Sequence, residues 1–124
     1  MELKSYFEVT KGTGILSTAD SNGKVDAAIY SRPHFIENKI AFIMRDRLSH
    51  KNLETNPHAV YLFIEDGPGY KGKRIYLTKV KEEKNSDLID SLKRRKKKDS
   101  NPYEDKFLVF FELSNERPLI GNAH

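Results

Sequence analysis

Three stretches of the chain are apolar without alternation: Ile40 to Met44, Ala59 to Ile64 and Phe107 to Leu113, the last broken only by Glu112. A strand with one face in solvent alternates apolar and polar residues, so unbroken runs predict strands covered on both faces. In a chain of 124 residues that cover comes from a barrel interior on one side and a helix or second subunit on the other. Self-association is therefore expected. Gly14 to Thr18 and Val25 to Arg32 predict a hairpin turning at Asp20-Ser21-Asn22-Gly23. In the second of these, Val25, Ala27, Ile29 and Ser31 share one face and Asp26, Ala28, Tyr30 and Arg32 the other, until Pro33 interrupts the ladder. Arg74 to Val80 follows the glycine-rich loop Asp66 to Gly72 and completes a set of six strands.

Helical spacing is confined to short pieces. Leu3, Tyr6 and Phe7 predict an amphipathic opening helix ended by Gly12 and Gly14. Ser49 is a good N-cap, Leu48 and Leu53 are spaced as a hydrophobic staple, and Asn56-Pro57 ends the helix they begin. Ser86 is placed to cap a third helix with a narrow stripe of Leu88, Ile89 and Leu92, which runs into six consecutive basic residues, Lys93 to Lys98. Asn101-Pro102 leads to the last strand. With no internal repeat or linker, residues 1–124 read as one domain.

The helix opened by Ser49-His50-Lys51-Asn52 carries the clearest chemistry. Its first amides lack intrahelical acceptors and its dipole adds partial positive charge, so an anion is welcome there, with a hydroxyl and an ammonium alongside. Composition narrows the classes. The 22 basic and 18 acidic residues leave a net charge of +4, less than the basic run alone carries, so the rest is slightly acidic. The absence of cysteine excludes disulfides, thiolate metal sites and cysteine nucleophiles. No apolar stretch is long enough to span a bilayer, and the N-terminus lacks the apolar core of a secretion signal, so a cytoplasmic protein is expected.

The block IAFIMRDRLSHKNLETNPHAVYLF, from Ile40 to Phe63, followed by GPGYKGKRIYLTKV from Gly67 to Val80, resembles the FMN-binding split-barrel superfamily, the pyridoxamine 5′-phosphate oxidase-like proteins. The resemblance extends over almost the whole chain. It implies a mainly β fold, a six-stranded antiparallel split barrel with peripheral helices, forming a homodimer with FMN at the interface. It also implies cofactor-binding positions. Ala28, Ile29, Tyr30 and Ser31 would run along the isoalloxazine and ribityl chain, largely through their backbone; Met44 and Arg45 would approach the flavin and its phosphate; Ser49, His50 and Lys51 would hold the phosphate. Two departures stand against pyridoxamine phosphate oxidation itself: Ala28 replaces a phosphate-binding arginine, and Arg117-Pro118-Leu119-Ile120-Gly121 does not reproduce the substrate-binding C-terminal segment.

The expected function is accordingly a flavin-dependent oxidoreductase acting on a small planar substrate, with a flavin-binding or electron-carrier protein without turnover as the alternative. No catalytic residue is assigned, since the cofactor would carry the chemistry. Lys93 to Lys98 would serve nucleic-acid binding only weakly, because no aromatic residue is interleaved to stack on bases and cations at a helix end complement its dipole. His34, His50, His58 and His124 lack ligand spacing, so no metal site is expected, while a related deazaflavin or haem in place of FMN stays open. Near a phosphate His50 would be useful as a cation. Tyr76 reads as core, while Tyr70 lies in the glycine loop.

Overall fold

A computed structural model describes residues 2–92 and 104–121; the basic run at 93–98, the Asn-Pro pair at 101–102 and the C-terminal histidine lie outside the described residues. Helix α1 (Leu3–Val9) is followed by strands β1 (Gly12–Ala19), β2 (Val25–Tyr30), β3 (His34–Ile36) and β4 (Lys39–Arg45). Helix α2 (Leu48–Thr55) leads to β5 (His58–Glu65) and β6 (Gly72–Lys84), and helix α3 (Leu88–Leu92) precedes β7 (Lys106–Pro118). The hairpin turn is as expected: Gly23 takes a positive φ of 82°, and the Asp20 carboxylate accepts from the amides of Asn22 and Lys24, both at 2.9 Å. Ser86 caps α3, accepting from the Leu88 amide at 3.3 Å.

All seven strands lie in one antiparallel sheet ordered β2-β1-β5-β6-β7-β4-β3, where the sequence predicts six. The additional strand is β3, three residues that pair with β4 immediately after Pro33. It is too short to produce a legible alternation. The sheet is not closed, and β2 and β3 form its edges. It nonetheless curls: the Tyr30 ring on β2 meets Phe42 on β4 edge to face at 6.0 Å, although those strands lie near opposite ends of the order. Helix α2 packs against β1, β2 and β4 and so fills the split that this curl leaves.

Inside the curl, Leu16, Phe42, Met44, Tyr61, Phe63, Ile75, Leu77, Val109 and Phe111 are almost fully buried, with Phe7 of α1 among their rings. Burial of each large side chain contributes about 1.5–3 kcal/mol. A second cluster joins Ala41 of β4 and Leu108 and Phe110 of β7 to Ile89 of α3 on the opposite side of the sheet. The apolar runs in β4 and, from Phe107 to Phe111, in β7 are thus covered on both faces, one by the barrel interior and one by a helix, while Leu113 at the end of the second run is exposed. Strand β5 differs. Ala59, Tyr61 and Phe63 are buried while Val60, Leu62 and Ile64 are only partly so, because among the described residues no helix covers its outer side. Among the described residues no helix is long and apolar enough to cross a membrane.

Gly14 on β1 shows why a strand residue lacks a side chain here. A Cβ at that position would overlap the ring and hydroxyl of Tyr61. The space is used, since the Tyr61 hydroxyl donates past it to the carbonyls of Ser31 at 3.0 Å and Tyr30 at 3.3 Å.

Candidate functional site

Helix α2 presents an unusual inward face. Ser49, His50, Asn52 and Leu53 are buried, and only Leu53 is apolar. Buried polar groups need partners, and each finds them on a different strand. The Asn52 amide donates to the Thr18 hydroxyl on β1 at 3.0 Å. Ser49 reaches β2, with its hydroxyl 3.4 Å from the Asp26 carboxylate and hydrogen-bonded to the Tyr30 phenol. Burial raises the pKa of that phenol, while the Ser49 bond opposes the shift. His50 stacks on Phe107 of β7 with ring centroids 3.9 Å apart.

These contacts correct the expected cap. The helix begins one residue earlier, Arg47 is the N-cap residue, and no side chain caps it. Ser49 turns inward because β2 offers its hydroxyl partners within the barrel split. The staple is not made either: Leu53 is buried but Leu48 is exposed. The first helical hydrogen bond runs from the Lys51 amide to the Arg47 carbonyl at 3.0 Å. The amides of Leu48, Ser49 and His50 precede it and have no acceptor within the helix.

The residues expected at a phosphate are distributed around this start. Arg45 ends β4 and Lys51 is exposed on the outer side of α2. Arg45 is engaged by Glu104 at 2.5 Å, and Arg47 lies 2.8 Å from the other oxygen of the same carboxylate. That second oxygen is buried and has no aligned hydrogen bond. Glu104, a carboxylate held between two guanidinium groups beside a helix start, thus occupies the kind of position in which a phosphate is stabilised. The His50 side chain points away from this place, between carboxylates, so toward an anion it offers only its amide.

Strand β2 supplies the other half. Among the described residues it is a sheet edge paired with β1 alone, so alternate backbone N–H and C=O groups face away from that ladder. Ala28 lies between Asp26 and Tyr30, the two partners of Ser49, and its small side chain keeps that edge open. The Tyr61 bonds described above hold the end of this segment at Tyr30 and Ser31. Ile29 points to the opposite face, where it is 70% exposed in line with Val25, 81% exposed. Met44 is buried in the core, so its side chain faces the barrel interior. The structure therefore brings Ala28, Tyr30 and Ser49 together, places Arg45 and Lys51 at the helix start, and turns Ile29, Met44 and the His50 ring elsewhere.

On the outer face, β2, β1, β5, β6 and β7 form an open groove of about 890 Å³ lined by Ser17, Ala27, Val60, Tyr76 and Arg117 among others. Tyr76 is found here and not in the core, because its neighbours Ile75 and Leu77 are the inward residues of β6. Arg117 covers its ring at 5.8 Å. Sequence reasoning missed Asp26, Glu82 and Glu104, whose importance comes from partners 23, 32 and 59 residues away. Asp46, His50 and Glu54 are four residues apart each time, a spacing visible in the sequence once carboxylates are counted with the histidine.

No protein-family model and no curated protein sequence matches the chain. Solved structures do match. One is an F420 reductase, with a TM-score of 0.74 and 14% identity, covering 91% of this chain and 94% of that one. Another is an FMN-binding protein from Syntrophomonas wolfei subsp. wolfei, with a TM-score of 0.70 and 19% identity over 96% of this chain and 84% of that one. HutZ, a haem storage protein from Vibrio cholerae, aligns with a TM-score of 0.55 and 17% identity over 92% and 89%.

Proposed function

We propose, for a chain that has the split-barrel fold of the FMN-binding, pyridoxamine 5′-phosphate oxidase-like superfamily, that it is a homodimeric, cytoplasmic, one-domain flavoprotein binding FMN and serving as an oxidoreductase on a small planar substrate. One observation carries the reading: the open start of α2, flanked by Arg45, Arg47 and Lys51, lies beside the free edge of β2. That donor set suits a flavin mononucleotide. Cations and helix-start amides match its phosphate, and an edge of backbone groups next to a small residue matches a flat ring with alternating donors and acceptors.

In this reading Lys51, Arg45 and Arg47 neutralise the phosphate once Glu104 gives way. Ser49 and the amides around it orient the phosphate, and its hydrogen bonds to β2 fix the distance between the two ends of the cofactor. Ala28, Tyr30 and Ser31 position the ring through their main chain, while Ile29, Met44 and the imidazole of His50 support the fold around it. Bound FMN would supply acceptance and release of electrons in pairs or singly. The exposed row Val25, Ala27 and Ile29 and the groove beside it would be covered by a second copy, which would also shield the ring from water.

Charge reversal at Lys51 tests the phosphate end. The Lys51→Glu substitution is on an exposed position, so the fold is retained while FMN affinity falls by about ten-fold or more, equivalent to about 1.4 kcal/mol. An unchanged flavin titration in a folded variant overturns the assignment. The electron-carrier alternative is distinguished by reoxidation: a carrier passes electrons to protein acceptors faster than to small organic ones.

A further inference from the structure

We infer that Asp46, His50 and Glu54 form a binding site for a divalent transition-metal ion, on the side of α2 that faces β6 and β7. His50 Nδ1 lies 3.2 Å from an Asp46 oxygen and 3.5 Å from a Glu54 oxygen, and the three atoms lie within 4.8 Å of one another. The spacing of four residues puts them on one face of the helix and the turn before it.

The imidazole sets this cluster apart from a chance group of surface acids. Its side chain is only 3% exposed, Phe107 stacks on one face of the ring at 3.9 Å, and Nε2 faces both oxygens of Glu82 at 3.1 and 3.2 Å. Glu82 is fixed in turn by Lys79 at 2.7 Å. A carboxylate accepts only, so the Nε2 proton is donated to Glu82. Nδ1 then faces two further carboxylates, Asp46 at hydrogen-bond distance and Glu54 beside it. Two carboxylates converging on one ring nitrogen call for a cation, either a proton on Nδ1 or a metal ion. A single proton on Nδ1 serves one carboxylate at a time. A metal ion serves all three atoms.

Geometry and charge favour the ion. Tetrahedral zinc with bonds of about 2.0–2.1 Å places its ligand atoms about 3.3 Å apart; the two nitrogen–oxygen separations, 3.2 and 3.5 Å, lie on either side of that value, and the two carboxylate oxygens lie within 4.8 Å of each other. Glu82 has the outer role that carboxylates take behind metal-bound histidines, fixing the tautomer and ring orientation. Asp46, Glu54 and Glu82 bring three negative charges, of which Lys79 balances one, leaving an excess that a divalent ion neutralises. Asp46 and Glu54 are 52% and 56% exposed, which gives an entry path and leaves room for water to complete the coordination. One imidazole with carboxylates suits zinc or a neighbouring ion of the first row. The bound ion would tie α2 to β6 through His50, and this site does not depend on the flavin reading.

The test is calorimetric titration of the metal-free full chain with Zn²⁺, paired with the visible spectrum on adding Co²⁺. The expected result is one saturable site per chain, visible Co²⁺ bands of low coordination number, and a rise in melting temperature with Zn²⁺. Asp46→Asn and Glu54→Gln change exposed groups and leave the fold intact by circular dichroism, yet each weakens binding by about ten-fold or more; Glu82→Gln weakens it by about 10–100-fold, the range for an outer carboxylate. The absence of saturable Zn²⁺ binding in the wild type overturns the inference and leaves a proton as the resident cation. Unchanged affinity in the folded Asp46→Asn, Glu54→Gln double variant overturns it equally, by locating the metal at other histidines.

Discussion

Glu104 is expected to compete with the phosphate of the cofactor, and removing its charge should tighten FMN binding. Its carboxylate bridges Arg45 and Arg47 and is itself only 14% exposed, while the two arginines are 42% and 68% exposed. Solvent screens such pairs, so each contributes about 0.2–1 kcal/mol, and a phosphate that takes both guanidinium groups must replace about 1 kcal/mol of existing attraction. Glu104→Gln keeps the size and one carbonyl oxygen but removes the charge, so FMN affinity should rise about five-fold, since 1.4 kcal/mol is ten-fold. Fluorescence titration with FMN and with riboflavin reads this directly. Riboflavin lacks the phosphate and should bind both forms equally. The gain should shrink as salt is raised. Unchanged or weaker FMN binding by Glu104→Gln would refute the reasoning and show instead that Glu104 holds the arginines in place for the phosphate. Binding of neither flavin by either form would reject the flavin reading itself.

Three further outcomes follow from the same contacts. Tyr61→Phe removes the bonds to the Tyr30 and Ser31 carbonyls, which should cost about 1 kcal/mol in urea denaturation and weaken FMN binding; retention of both would detach Tyr61 from the site. Ala27→Glu places a charge in the middle of the exposed apolar row of β2 and should shift the protein from dimer to monomer in sedimentation, whereas a dimer that persists must use another face. Burial, and then the hydrogen bond to Glu65 at 2.6 Å, raise the Tyr6 pKa. The folded state therefore keeps the phenolic proton longer than the unfolded state. The resulting stability is complete below the ordinary value of about 10 and is lost as pH rises above it. Melting temperature against pH should fall less steeply above that point in Tyr6→Phe than in the wild type, and parallel curves would contradict the assignment.

The fold was legible wherever local pattern determines burial. The unbroken runs in β4 and β7 foretold strands covered on both faces, and Asp20 to Gly23 foretold the hairpin. In β5 the same kind of run packs its inner residues into the core, while Val60 on its outer side lines the open groove, the face left for the second subunit that the run allows as cover. Strand β3 was missed because three residues after a proline carry too little periodicity, and Tyr76 was assigned to the core because its strand was read without a register. The contacts around the start of α2 were not legible. Ser49 has the sequence of a cap, but β2, folded back across the split, takes its hydroxyl. Arg45 and Glu104 are 59 residues apart, and only the pairing of β4 with β7 brings their segments together.

The most direct test of the central claim is the absorption spectrum of the purified protein after incubation with FMN and gel filtration, beside a parallel incubation with haem. Retained flavin bands, shifted from those of free FMN and present at one equivalent per chain, are the predicted result. A protein that emerges without flavin but carries a haem Soret band would contradict the account.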